Sequence, residues 1–399
     1  MRITGFLLGL LLLIVPEVLR VYYIMPFPGS QEDVATDLRQ VDLAYWLHHN
    51  VWWLRLLGLA LVVGPALHYL RNGGWLKRIG VLLPLALAAT VFYLFNFKFM
   101  ADKMFLPVEH KVMAAVTKDS GGANDLVIAV ERNGEARAYP IELIGYHHQV
   151  LDTIGGEAVM VTYCTVCRTG RAYSPVVNGQ AETFRLVGMD HFNAMFEDSR
   201  TGSWWRQATG ECIAGPLKGQ ALPEVSSTQL TRAKFARLHP QGLVLQPDPA
   251  FAKAYEGLKE YDEGTMVSSL EGRDTASWQP KSWVVGVVHN GMARAYDWNE
   301  LRDRGGIRDT LGGIEIQLIA PPRSSNFLVW GKLSAPVPFL EDSTVREIVS
   351  VLDNWYAPFI FPVGDSSQVV IGSPIPAYQE YWHSWRTFHP NTTRYEKTP

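Results

Sequence analysis

Cysteine is scarce, with three in 399 residues. That excludes a disulfide-stapled scaffold, because at most one intrachain bridge can form. An excess of one charge sign is also lacking. Lys and Arg number 36 and Asp and Glu 39, a formal net charge of −3, so nothing in the charge points to nucleic-acid binding. No GxSxG, HExxH, P-loop or dinucleotide fingerprint occurs, so the chemistries those motifs carry have no support here. No small-x-small cleavage site follows the first apolar run; Pro16, Glu17 and Arg20 come instead. That run therefore reads as an uncleaved signal anchor rather than a removed leader.

Long apolar runs, by contrast, fill the first hundred residues. ITGFLLGLLLLIVPEVLRVYYIM spans 3–25, VWWLRLLGLALVVGPALHYL spans 51–70 and IGVLLPLALAATVFYLFNF spans 79–97. Each has about the 20 residues needed to cross a hydrocarbon core. The connector 71–78 carries Arg71, Lys77 and Arg78 and no acid, which places it on the cytoplasmic side. Loop 26–50 is acidic, which suits the outside. A cytoplasmic (inner) membrane protein is expected, multi-pass, with its N-terminus inside and its soluble region outside. Pro65, Pro84 and Arg55 within the spans imply helices that pack on one another or on a membrane-protein partner. The lipid bilayer is the first partner expected, and nucleic acid is not one.

Residues 104–399 read as globular, and they repeat. VIAVERNGEARAY at 127–139 returns as VVGVVHNGMARAY at 284–296, and DTIGG at 152–156 returns as DTLGG at 309–313. At this offset, 12 of the 31 residues from 126 to 156 are identical to their partners. His239-Pro240 and His389-Pro390 close the two copies. Asn133-Gly134 and Asn290-Gly291 each predict a tight hairpin. NG-x-ARAY and DT-x-GG read as turn chemistry. The expected organisation is a membrane domain over 1–100, a first copy over 104–250 and a degenerate second copy over 262–399. The fold class is α+β, a β-rich soluble region of two tandem repeats preceded by three transmembrane helices.

The cysteine pair belongs to one copy only. The strand EAVMVTY (157–163) leads into Cys164-Thr165-Val166-Cys167, whereas the second copy has Pro321 where the first has Cys164. A pair needed to hold the fold would be needed twice, so its loss in one copy marks a site, with the other copy acting as scaffold or lid. Three chemistries fit the spacing. As a staple, the loop of about four residues contributes only roughly 2 kcal/mol by the chain-entropy estimate. As a dithiol couple, Cys164 and Cys167 would attack and resolve, Arg168 would favour the thiolate, and His147 or His148 would move protons. The sequence after the pair reads as turn and strand, so the helix N-terminus of a thioredoxin arrangement is not expected. As a zinc or copper site, the pair would draw further ligands from His147, His148, His191 and Cys212, with Met189 and Met195 suiting Cu(I). Haem attachment is disfavoured, because Arg168 stands where C-x-x-C-H needs histidine.

His147 and His148 sit in a stretch read as strand, so one at most should face the site. Trp204 and Trp205 in SRTGSWWRQATGECIAGPLKG (199–219) should likewise alternate, one buried and one lining a groove.

Residues 126–245 resemble the family called domain of unknown function 3179. The motifs that carry the resemblance are NGEARAYPIELI, HHQVLDTIGG, VTYCTVCRTGRAY, DSRTGSWWRQATGECIAGPLKG and the closing HP. The family usually has Pro-Leu between its cysteines, followed by Gly; here Thr165-Val166 and Arg168 stand instead. The resemblance supplies a name more than a mechanism. The leading expectation is a membrane-anchored thiol redox protein of unknown substrate. The alternatives are a Zn or Cu module and a scaffold subunit of a membrane complex.

Overall fold

The computed structural model describes residues 2–31, 38–321, 325–332, 337–338, 360–362 and 368–396. The chain forms two compact units. One joins Met1–Val108, Tyr146–Leu151 and Tyr173–Pro223; the other joins Glu109–Gly145, Asp152–Ala172 and Glu224–Pro399. The units do not follow the two sequence copies, since residues 173–223 of the first copy group with the apolar helices.

The first unit begins with α1 (Arg2–Tyr22), α2 (Leu38–Asn72) and α3 (Trp75–Phe97). All three are long and apolar enough to cross a membrane. α1 stops short of Met25 because Pro26 and Pro28 follow. α2 starts well before Val51, because no Gly or Pro interrupts residues 38–57. Only Gly73 and Gly74 separate α2 from α3, and a Cβ at Gly73 would collide with the Tyr69 carbonyl. The polar residues inside the spans meet one another. Glu17 accepts from Arg20 Nε at 3.1 Å and from Arg55 Nε at 2.5 Å, and Asn96 Oδ1 accepts from both arginines at 2.6 and 2.8 Å. Charges in an apolar medium persist when paired in this way, and the cluster ties the three helices together.

An antiparallel sheet completes this unit, in the order Cys212–Ala214, Trp204–Arg206, Asn193–Asp198, Phe184–Asp190. One face packs on the helix ends, where Ile24, Val41 and Ala44 join Val187, Met195, Trp204 and Ile213. Both tryptophans are buried, which corrects the expectation that one lines a groove. The sheet is covered on both sides, and each indole finds a carboxylate. Trp204 Nε1 donates to Glu197 at 2.8 Å and Trp205 Nε1 to Asp198 at 2.9 Å.

The second unit contains one strand plan twice. Leu126–Arg132 and Glu135–Pro140 pair as a hairpin flanked by Ser227–Thr231 and Leu243–Leu245. Trp283–His289 and Met292–Asp297 pair in the same way, flanked by Ala377–Tyr381 and Thr393–Arg394. In each copy the flanking strand next to the first hairpin strand is antiparallel and the other is parallel. Asn133 (φ 49°) and Gly134 (φ 79°), like Asn290 (φ 46°) and Gly291 (φ 75°), form the two-residue turns with positive φ that the sequence predicts. Core volume is exchanged between the copies. Ala129 packs in the cluster of Phe235, whereas its counterpart Gly286 leaves room for the larger Trp385.

The repeated motifs also hold more than turns. Arg137 Nη1 and Tyr139 Oη donate to Asp152, each at 2.6 Å, and Thr153 N donates at 2.8 Å. Arg294 Nη1, Tyr296 Oη and Thr310 N do the same for Asp309 at 2.6, 2.7 and 2.7 Å. Arg and Tyr of ARAY thus clamp Asp of DT-x-GG. Asn133 Nδ2 and Asn290 Nδ2 then reach the Gly155 and Gly312 carbonyls, each at 2.8 Å.

Candidate functional site

Cys164 ends the strand Glu157–Cys164, a turn follows over 165–168, and Thr169–Tyr173 returns as the next strand of the same sheet. This matches the strand–turn–strand reading of the sequence. Arg168 takes φ 53° in that turn. All three cysteines are buried thiols, with Cys164 and Cys167 at 0 % exposure.

What surrounds the pair comes from the second copy. The segment Gln379–Ser384 runs along residues 166–171 and binds them in turn. Arg168 Nε donates to Gln379 Oε1 at 3.0 Å, and Tyr381 N donates to the Cys167 carbonyl at 3.0 Å. His383 Nε2 lies 3.1 Å from the Val166 carbonyl, and Ser384 Oγ lies 3.3 Å from Thr169 Oγ1. Arg171 and Glu380 form a buried ion pair in close contact, 3 % and 1 % exposed. The docking is reciprocal. Thr231, the counterpart of Tyr381 in the first copy, donates its backbone N–H to Asn326 Oδ1 at 2.8 Å. Asn326 lies in the stretch that replaces the cysteines; its residues 322–324 lie outside the described ones.

The electrostatics hold Cys167 as a thiol. Burial pushes the Cys167 thiol well above its ordinary range. Its hydrogen bond to Cys164 and the nearby Glu380 carboxylate push the same way, and the Ser384 hydroxyl and, more weakly, Lys281 oppose them. Arg168 was expected to favour a thiolate, but its guanidinium is occupied elsewhere. It stacks 3.8 Å over the Trp283 ring and 5.2 Å from that of Tyr261, and donates to the Tyr261 and Asp262 carbonyls at 3.4 Å each. Arg171 serves Glu380, the Tyr378 ring at 3.4 Å and Glu224 at 3.6 Å. His383 is held neutral, pushed down to about 4 by burial.

The other residues picked out from the sequence lie in the first unit. His147 ends the helix Ile141–His147 and His148 follows it at φ 62°, so strand alternation does not govern them. The second copy has Gly305 at φ 70° in that place, so the position is a left-handed helix cap. His147 Nδ1 lies 2.6 Å from the Leu106 carbonyl, and His148 Nδ1 lies 3.0 Å from that of Tyr146. Burial pushes His148 down to about 4. His191 and Phe192 form a hairpin turn, both at positive φ, with His191 Nδ1 2.6 Å from Asp190. Met189 and Met195 are buried within the sheet. Cys212 donates to the Ala214 carbonyl at 3.4 Å, and burial raises it to about 11. Among the described residues, no three His, Cys, Asp or Glu side chains gather to hold a metal ion.

Gln379, Glu380, His383 and Ser384 were not picked out from the sequence. A signal for them existed. At the offset of 150 that aligns the closing HP pairs, Glu380 replaces apolar Leu230 and the small hydroxyl of Ser384 replaces Lys234, changes in one copy that mirror the cysteine change in the other. No curated protein and no solved structure matches the chain. The family described as protein of unknown function DUF3179 matches residues 107–392, reaching through both copies and beyond the motifs of the first. The chain therefore belongs to the DUF3179 family, with three helices able to cross a membrane placed ahead of the shared region.

Proposed function

We propose that this is a membrane-anchored thiol redox protein whose working centre is Cys164 and Cys167. The observation that carries the reading is the hydrogen bond between the two thiols inside a polar shell that the second copy contributes. In the proposed step both S–H bonds break and one internal S–S bond forms. The two electrons and two protons pass to a disulfide of a small thiol or of a protein, whose S–S bond breaks to give two thiols. The raised Cys167 thiol is a slow nucleophile and favours a stable, weakly oxidising disulfide. The loop charges support a cytoplasmic membrane location with the N-terminus inside and the redox centre outside, where disulfides persist.

Redox titration of the full chain in mild detergent tests this reading. A single two-electron transition is expected, present in Cys212→Ser and lost in Cys164→Ser and Cys167→Ser. Stoichiometric zinc or copper in the reduced protein would instead favour the metal reading. An unchanged transition in both single variants would sink the redox reading.

A further inference from the structure

The shell around Cys167 has one feature that the redox reading does not use. Ser384 Oγ donates its proton to Glu380 Oε2 at 3.0 Å. A serine hydroxyl has only one proton. While that O–H points to Glu380, Ser384 can offer only lone pairs to the Cys167 sulfur, its other hydrogen-bond partner, and a thiol S–H suits such an acceptor. A thiolate does not, because it needs a donor. Thr169 Oγ1, 3.3 Å from Ser384 Oγ, donates to the Cys167 carbonyl at 3.3 Å. Glu380 is itself fixed by Arg171, and both are almost fully buried. Arg171 also has Glu224 within 3.6 Å, so its charge stays compensated if the hydroxyl turns away from Glu380.

We propose that Ser384 is the positioning residue of the dithiol. Its O–H points to Glu380 while Cys167 is a thiol, and turns to the sulfur when Cys167 becomes a thiolate. The second copy is thus neither an inert scaffold nor a mere lid, but supplies the hydrogen bond that decides which form of Cys167 is stable. The inference rests on the dithiol reading for its purpose, although the geometry of the thiol can be tested without any redox cycle. Among the described residues, the charged and titratable groups facing the sulfur are Cys164, Glu380 and, more remotely, Lys281, with Arg171 behind Glu380 and His383 neutral at working pH.

The test uses the reduced full chain in detergent. The infrared S–H band of Cys167 is isolated as the difference between wild type and Cys167→Ser. The expected Ser384→Ala band moves to higher frequency, because the S–H loses its acceptor, and Ser384→Thr, which keeps the hydroxyl, retains the wild-type position. With Cβ-labelled cysteine, the three cysteine signals should show the Cys167 titration midpoint rising by about one unit in Ser384→Ala, a loss of roughly tenfold in thiolate stability. Glu380→Gln, which competes less for the proton, should lower that midpoint, and it carries the test if Ser384→Ala does not fold. An unmoved S–H band in Ser384→Ala, or a midpoint that rises in Glu380→Gln, would overturn the proposal. A correct band shift with no disulfide formed at any potential would instead refute the redox reading and leave the hydrogen-bond assignment standing.

Discussion

Replacing Asp152 by Asn should destabilise the protein more than the matched change at Asp309, and the structure says by how much. Asp152 is 3 % exposed and accepts from Arg137, Tyr139 and Thr153 N, with Lys111 Nζ a further donor at 2.7 Å. Its amide would put a neutral group, itself buried, against the half-buried Arg137 guanidinium and the Lys111 ammonium, which costs about 3–5 kcal/mol. Asp309 makes the three matching bonds at 14 % exposure, closer to solvent, so its loss should cost about 1–3 kcal/mol. The predicted difference is about 2 kcal/mol. For a unit of this size each kcal/mol moves the midpoint by about 2–4 °C, so Asp152→Asn should melt roughly 5 °C below Asp309→Asn. Tryptophan fluorescence of the full chain in detergent reads both transitions. The pH dependence has a definite sign. Burial alone would raise the Asp152 carboxyl, but the hydrogen bonds from Lys111, Tyr139 and Arg137 outweigh it and hold the group below its ordinary value. Its stabilisation is therefore complete above about pH 4 and is lost as pH falls through the lowered folded value. Asp309→Asn melting below Asp152→Asn, or equal midpoints, would refute the reasoning that the clamp is stronger in the first copy.

Three further outcomes follow from the same structure. Gly155→Ala and Gly312→Ala, at φ 56° and 57° with a neighbouring carbonyl in the way of a Cβ, should each lower stability by about 1–3 kcal/mol in thermal melts. Arg171→Met should cost about 3–5 kcal/mol by stranding Glu380, and Arg171→Met with Glu380→Leu should recover much of that loss in denaturant titrations, because the pair is cheaper to remove whole than by halves. Iodoacetamide at neutral pH should label Cys164 and Cys167 at least a hundredfold more slowly in the folded chain than after denaturation, as peptide mass mapping reads, since both are buried and the Cys167 thiol is raised.

Much of the fold was legible because its signals are local. Apolar runs of membrane length, Asn-Gly turns with positive φ and the strand into Cys164 need no tertiary context. The helix limits were harder. Hydropathy marks where a chain is apolar, whereas α2 continues upstream through His48 and His49 because nothing breaks it. The Trp204/Trp205 expectation failed for a related reason, since alternation predicts two faces but not that both are covered. His147 and His148 were misplaced because the helix cap at His148 carries no glycine to announce it, although Gly305 in the other copy does. The cysteine shell was the least legible part. Glu380 and Ser384 lie more than 200 residues from the thiols, and only the docking of one copy on the other brings them together.

The central claim, that Cys164 and Cys167 are a two-electron couple, is tested most directly by mapping the link formed when the reduced full chain is titrated with a small disulfide. The account predicts a product lighter by two hydrogens, whose digest contains a single Cys164–Cys167 cross-link and leaves Cys212 as a thiol. Mixed disulfides without an internal link, or full retention of both thiols at every ratio, would contradict it.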